Sequence, residues 1–467
     1  MRSTKMDKKK LTEKKSTERA RFSNKMGYVL AVAGSAVGLG NIWRFPYLAA
    51  KYGGGMFLLV YLILMLTFGY ALIVSETTLG RMTKKSPIGA FGTFGKKASY
   101  KFGGWMNAII PMLIAPYYCV IGGWVIKYLF EYVMGNTQSL AADHYFSGFT
   151  ASAGSVELWF IVFVALVFIV IFAGVKNGVE RVSKIMMPLL LVLAVIVAVY
   201  SITRPGALEG VKYFLIPDFE HFSWMTVVAA MGQMFYSLSI AMGVLYTYGS
   251  YIGKDIDIDK STKQVELFDT GIAILAGLMI IPAVFAFSGG DTATLQAGPS
   301  LMFITIPKVF ASMGLGTAAG IAFFLLVLFA ALTSAISLAE TGVSTFEDQL
   351  GWSRKKCCAL MAVIILVLGT ACALGFNALD FVKIFGMSIL DFFDFLTNSI
   401  MMPIAAIATC ILILRAVGLK AIADEVELSS NFKRKKVYNF VMKYLAVVFL
   451  VIILLSAIAN VIGWISL

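Results

Sequence analysis

The chain has 467 residues, of which 59% are hydrophobic and only 14% charged. That balance excludes a soluble enzyme and points to an all-α integral membrane protein built as one transmembrane bundle. The net charge of +13 would suggest a nucleic-acid partner in a soluble protein; here the sidedness of the loops accounts for it, and the expected partner is the lipid bilayer, with no nucleic acid.

Residues 1–26 are charged and polar with no apolar run, and read as a basic cytoplasmic tail, not a signal peptide. Beyond them apolar stretches predict eleven spans, near 27–50, 56–80, 104–134, 156–174, 182–202, 224–250, 266–288, 316–346, 357–376, 390–415 and 437–464. With the N-terminus inside, the segments 1–26, 81–102, 174–186, 252–266, 351–357 and 415–443 hold 32 of the 39 Lys and Arg residues. The opposite orientation would put that charge outside, so the N-terminus is expected in the cytoplasm of a plasma membrane and Ile465-Ser466-Leu467 outside it. Cys119, Cys372 and Cys410 lie in apolar runs, while Cys357 and Cys358 follow Lys355-Lys356 and look cytoplasmic and reduced. With only two His, no metal-ligand spacing exists.

The first span contains Gly34-Ser35-Ala36-Val37-Gly38-Leu39-Gly40-Asn41-Ile42-Trp43-Arg44-Phe45-Pro46. Each glycine costs a helix about 1 kcal/mol relative to Ala, and an Asn, an Arg and a Pro follow, so the spacing predicts a helix broken at membrane depth. Irregular backbone survives there only if it is buried in protein or lines a watery cavity. A broken helix exposes carbonyls for cations and amide N–H groups for anions, which suits a zwitterion and a metal ion. A glycine-rich packing face gives the same periodicity; Arg44 favours the site.

The sixth span holds a second interruption, Gly232-Gln233-Met234-Phe235-Tyr236-Ser237-Leu238-Ser239-Ile240-Ala241-Met242-Gly243. Breaks in corresponding positions of two halves are the pattern of inverted repeats around a midplane site. Repeat one is then about 27–202, repeat two about 224–415, and the span at 437–464 is peripheral. Two outside segments, 203–223 and 289–315, are long and mixed; the second is expected to hold short helices over an outer vestibule, or else to be a plain surface loop.

Polar residues inside spans are costly and mark function by default. Asp269 is a hard oxygen donor for a small cation, or a charge at the cytoplasmic interface pairing with a lysine such as Lys263. Thr333 and Ser334 offer adjacent hydroxyls that ligate a cation or bond the carbonyl four residues back. Glu76 and Glu340 are structural hydrogen-bond partners or proton carriers, and Tyr117-Tyr118 is a packing pair or a carboxylate holder.

Ala36 to Pro46, Lys51-Tyr52-Gly53-Gly54-Gly55, Glu76 with Gly80-Arg81, Tyr236-Ser237-Leu238-Ser239, Leu332-Thr333-Ser334 and Phe393-Asp394 occur in this order. Over residues 19–464 they resemble the neurotransmitter:sodium symporter family, in its bacterial amino-acid members. The resemblance implies the LeuT fold, a 5+5 inverted repeat with helices 1 and 6 broken, forming a single transporter domain over 27–464. It also implies uptake of an amino acid coupled to Na⁺ by alternating access, and no enzyme activity.

Residue by residue, the resemblance implies that the substrate carboxylate meets the N–H groups of Leu39 and Gly40 and the hydroxyl of Tyr118. The ammonium meets carbonyls of Ala36, Tyr236 and Ser237 and the hydroxyl of Ser239. Ser35, Ile114, Tyr118, Tyr236, Met242, Ser334 and Leu338 line the side-chain pocket. Two Na⁺ ions are implied. The first is held by Ala36, Asn41, Ser237 and Asp269 with the substrate carboxylate, the second by carbonyls of Gly34, Val37 and Ala330 and hydroxyls of Thr333 and Ser334. Arg44 and Asp394 form an outer gate; Arg19 and Asp348, near Tyr251, form an inner one.

This chain departs from the family at informative places. Asp269 stands where members often have Asn, Phe22 where many have Trp at the cytoplasmic lock, and eleven spans are expected where many members have twelve. The chloride neighbours of animal members match Tyr61, Gln233 and Ser237, yet Asp269 already supplies a negative charge, and Ala273 holds the position where some chloride-independent relatives carry Glu. Chloride-independent transport is expected. The pocket has no charge, so a neutral, bulky amino acid is expected: tyrosine first, then tryptophan or phenylalanine, with leucine or methionine behind. Proton coupling through Glu76, Glu340 or Asp269, and a sensor that binds an amino acid without moving it, are the competing functions.

Overall fold

The computed structural model describes residues 19–95, 97–290 and 299–461. The tail up to residue 18, positions 291–298 of the long segment 289–315, and the C-terminal tripeptide lie outside the described residues. Among the described residues nine helices are long and apolar enough to cross a bilayer, or ten if one bent pair counts as a single span. The bent pair is α1 (Lys25–Ala36) and α2 (Gly40–Lys51); α3 (Gly55–Thr83), α4 (Ala98–Val133), α5 (Ala153–Phe172) and α6 (Val175–Ile202) follow. The stretch expected as the sixth span consists of α7 (Trp224–Ser237) and α8 (Val244–Ser250), two short helices. Then come α9 (Ile258–Ser288), α10 (Gly316–Leu350), α11 (Arg354–Leu374), α12 (Ile389–Val417) and α13 (Lys435–Ser456).

Local chemistry sets the ends that matter. The Asn24 side chain accepts from the Gly27 N–H at 2.9 Å and starts α1. α1 stops where Val37 turns extended (φ −74°, ψ 97°), and α2 leaves at 53° to it. Ser223 and Thr226 form a capping box that opens α7. α10 lies along α1, α4 and α6, and α8 packs on α3. That last contact is backbone on backbone: a Cβ on Gly80 would lie 2.2 Å from the Tyr246 carbonyl oxygen. Exposed aliphatics such as Ile169, Val192, Val367 and Val448 give α5, α6, α11 and α13 their lipid-facing surfaces.

α9 starts at Ile258, well before the expected 266, and α6 at 175 rather than 182. Asp257 caps α9 by accepting from the Lys260 N–H at 2.8 Å. The first turns of α9 are polar, so a hydropathy reading misses them, but their two buried carboxylates are paired. Lys263 meets Asp259 at 2.6 Å, and Arg434 meets Glu266 at 3.0 Å. Asp269 is therefore about three turns inside the helix and fully buried. The interface alternative, with Lys263 as its partner, is corrected by these two facts.

Two short helices, Ala207–Leu215 and Leu301–Ala311, lie in the long connecting segments. The end of the bundle holding Arg19 is called the N-terminal end below, and the end holding Arg44 the far end.

Candidate functional site

Both breaks leave the backbone in conformations that need support. In the second, Ser239 and Ala241 have φ of +53° and +61° without being glycine, a strain of order 1–3 kcal/mol each. Glu76, buried on α3, accepts from the Ala241 N–H at 2.9 Å. Its contact is therefore the structural one, bracing the interruption. Ser239 donates to the Ser35 carbonyl at 3.0 Å and meets the Ser35 hydroxyl at 3.0 Å, which ties break to break. In the first break the Leu39 N–H donates to the Tyr118 hydroxyl at 3.0 Å, and the Gly38 N–H to Asn41 Oδ1 at 3.1 Å.

Asp269 gathers three donors from three other helices. Asn41 Nδ2 and the Ser237 hydroxyl each stand 2.8 Å from Oδ1, and the Tyr61 hydroxyl stands 2.9 Å from Oδ2. All four residues are buried, and among the described residues no lysine or arginine forms an ion pair with this carboxylate. A buried carboxylate is retained when hydrogen bonds and a cation compensate its lost hydration. Gln233, facing the same region, donates to the Gly40 carbonyl at 2.9 Å.

A cavity of about 20 Å³ lies between the breaks, lined by Ser35, Ala36, Gly38, Gly40, Asn41, Ile114, Tyr118, Tyr236, Ser237, Ser239, Met242, Ser334 and Leu338. These include every expected substrate residue except Leu39, whose amide donates to Tyr118 instead; Asn41, expected only for the first cation, and Gly38, expected for neither, complete the lining. That space suits a single water, because the Ser35–Ser239 and Leu39–Tyr118 bonds draw the walls together. Among the described residues no charged side chain lines it.

On the α10 side, the Ser334 hydroxyl lies 3.2, 3.1 and 3.4 Å from the carbonyls of Gly34, Ser35 and Val37. Thr333, one residue before, bonds the Phe329 carbonyl at 2.9 Å and that of Ala330 at 3.2 Å. The Ser334 hydroxyl thus joins the Gly34 and Val37 carbonyls, while the Thr333 hydroxyl takes the alternative contact, to the carbonyl four residues back; neutral oxygens of this kind are the donor type that a hard cation takes.

The two ends differ. At the N-terminal end Arg19 pairs with Asp348 and bonds Ser250 at 2.9 Å and Ser344 at 2.9 Å. Its guanidinium lies 5.1 Å over the Tyr251 ring, and Phe22 packs edge-on against Tyr28, Tyr248 and Tyr251. Glu340 joins this lock through Tyr251 at 2.8 Å and Arg354 at 2.5 Å. At the far end a cavity of about 370 Å³ is lined by Arg44, Tyr117, Tyr236 and Asp394, among others. The Arg44–Asp394 pair expected as a gate shares this cavity without forming an ion pair. Arg44 sits 5.4 Å over the Tyr236 ring, while Asp394 is held by Tyr117 at 3.1 Å and Asn398 at 2.6 Å. The closed end is the N-terminal one.

Sequence reading missed Ser250, Ser344, Arg354 and Asn398 as lock and vestibule residues. Ser250 and Ser344 partner Arg19, and Arg354 reaches the Ile171 carbonyl, all far along the chain where no local pattern marks the contact; Asn398 is one helical turn from Asp394, a spacing that could have marked it.

The family model described as the sodium:neurotransmitter symporter family matches residues 19–147 and 131–464. An uncharacterized sodium-dependent transporter, YhdH, of Bacillus subtilis is 33% identical over 94% of this chain and 97% of its own length. One from Haemophilus influenzae is 34% identical over 85% and 89%. The chain belongs to the sodium:neurotransmitter symporter family. The crystal structure of MhsT in complex with L-phenylalanine superposes with a TM-score of 0.84 at 37% identity, covering 94% of this chain and all of that one. A dog sodium- and chloride-dependent taurine transporter is 28% identical over 83% of the chain and 69% of its own length. The family is one of membrane transporters, not enzymes. Its LeuT fold accounts for the two broken helices, and its members couple transport to sodium.

Proposed function

We propose that this protein carries a neutral, bulky amino acid, tyrosine before tryptophan and phenylalanine, with two Na⁺ ions and no chloride requirement. The observation that carries the reading is the Asp269 carboxylate, buried beside Asn41 and Ser237 with no lysine or arginine partner among the described residues. A Na⁺ ion held there by Ala36, Asn41, Ser237 and Asp269 would share the substrate carboxylate as a ligand, which makes ion and substrate binding mutually dependent. The second Na⁺ takes the oxygens of Gly34, Val37, Ala330, Thr333 and Ser334. Leu39, Gly40 and Tyr118 receive the substrate carboxylate; Ala36, Tyr236, Ser237 and Ser239 receive the ammonium. Ser35, Ile114, Met242, Ser334 and Leu338 complete the pocket.

The uncharged lining and the phenylalanine bound by MhsT support an apolar side chain. The narrow cavity then widens as substrate replaces the Ser35–Ser239 and Leu39–Tyr118 bonds and the deformable Met242 shifts. Chloride independence is supported by donor accounting: the single O–H donors of Tyr61 and Ser237 already serve Asp269, and Gln233 spends one of its two N–H donors on the Gly40 carbonyl. We place Arg19 and Asp348 on the cytoplasmic side, with 27–464 as one transporter domain. A thermal-stability screen of the twenty amino acids with NaCl or choline chloride tests the reading. Stabilisation by aromatic amino acids only in NaCl is expected. Equal stabilisation in both salts, with uptake driven by a pH gradient alone, would establish proton coupling instead.

A further inference from the structure

We propose that Tyr248 is a positioning residue that couples the second cation site to closure of the N-terminal end. The inference rests on the reading that Thr333 and Ser334 ligate the second Na⁺.

Tyr248 lies on α8, the short helix after the second break, and is fully buried. Its hydroxyl donates to the Ser337 hydroxyl at 2.8 Å, and Ser337 donates to the Thr333 carbonyl at 2.9 Å. Two hydrogen bonds therefore run from α8 to the backbone of a proposed ion ligand on α10. The other side of the same ring faces the lock: Phe22 stands edge-on at 5.5 Å and 90°. The Phe22 N–H donates to the Tyr251 carbonyl at 3.3 Å, and Tyr251 lies under Arg19. One side chain thus touches both the ion site's scaffold and the plug.

The polar end of Tyr248 reports where the α10 backbone stands, and its apolar face sets where Phe22 can seat. A cation at Thr333 and Ser334 fixes that stretch of α10 and with it the Ser337 acceptor. Without the cation the acceptor is free to shift, the bond to Tyr248 lengthens, and the plug loses its platform. Such a chain carries coupling only if both ends bias one two-state element, and the lock of Arg19, Phe22 and Tyr251 is that element.

Hydrogen exchange read by mass spectrometry on the full chain in lipid nanodiscs tests this, comparing NaCl with choline chloride over residues 19–36. In the wild type Na⁺ should slow exchange there at least about fivefold, the low end of allosteric couplings. Tyr248→Phe keeps the ring against Phe22 and removes only the hydroxyl. It should lose most of that Na⁺ effect while NaCl still raises the melting temperature. Ser337→Ala should do the same, and the double variant should be no worse than either single one, since both cut one relay. A Tyr248→Phe protein whose exchange still responds fully to Na⁺, or rises equally in both salts, overturns the proposal and leaves a packing role. The Thr333→Val/Ser334→Ala protein separates the two failures. If it keeps both the NaCl melting shift and the exchange response, the ion-site reading has failed and the relay falls with it.

Discussion

The Ser237 hydroxyl donates to Asp269 Oδ1 at 2.8 Å, joining the last residue of α7 to a buried carboxylate in α9. The same oxygen accepts from Asn41 in α2, so one carboxylate holds the two broken spans together. Any event that neutralises or recruits this charge acts on both breaks at once.

Replacing Asp269 with Asn should remove the charge and keep the shape. The Na⁺ concentration for half-maximal uptake should rise about 10–100-fold, the usual cost of disturbing a metal site, or transport should stop unless chloride is present. Wild-type uptake should be indifferent to gluconate in place of chloride at fixed Na⁺ and membrane potential. A fall in wild-type uptake on that exchange refutes the chloride-independent reading.

Thr333→Val with Ser334→Ala removes the hydroxyl that meets the Gly34 and Val37 carbonyls and the one that meets the Ala330 carbonyl. Folding should persist, because Val preserves the shape of Thr and Ala is smaller than Ser. Na⁺ affinity should fall about tenfold or more, read as the NaCl dependence of amino-acid binding. An unchanged Na⁺ titration rules out this second site.

Arg44→Ala and Asp394→Ala should each reduce uptake far more than equilibrium binding. In the present arrangement the two side chains share the far-end cavity but are held apart, one over Tyr236 and the other by Tyr117 and Asn398. Their role then falls in closure, when the cavity collapses around substrate. Normal turnover in proteoliposomes for both variants contradicts a gating role.

Competition should rank tyrosine, tryptophan and phenylalanine above leucine and methionine, and all of these above alanine and glycine. Apolar pockets discriminate by only about 10–200-fold per methylene, so overlap among the large side chains is expected. Displacement of a bound aromatic amino acid measures the order, and alanine or glycine at its head would rule out the pocket assignment.

Gly80→Ala should lower stability without touching the site. The added Cβ would sit 2.2 Å from the Tyr246 carbonyl oxygen and 3.0 Å from the Ser250 nitrogen, and backbone cannot rotate away as a side chain can. Overpacking of this kind costs about 1–3 kcal/mol, visible as a lower melting temperature in detergent. A melting temperature equal to the wild type would show that α3 and α8 have room to part.

Composition and periodicity alone determine that this chain crosses a membrane many times, because apolar runs of that length have no soluble solution. They also place the breaks, since the glycines at 34, 38 and 40 and the polar run around Ser237 weaken helix locally wherever the chain folds. Hydropathy could not place the start of α9, because its first turns are polar and their cost is met by Lys263 and Arg434 across space. Only tertiary structure decided that Asp269 is buried among Asn41, Ser237 and Tyr61 and is not an interface charge, and that Glu76 braces Ala241. It alone separated Arg44 from Asp394 and set Tyr248 between Ser337 and Phe22. Burial and partnership belong to the packed bundle: a buried carboxylate and a surface carboxylate are the same letter in the chain, and only their neighbours, far away in sequence, make them different.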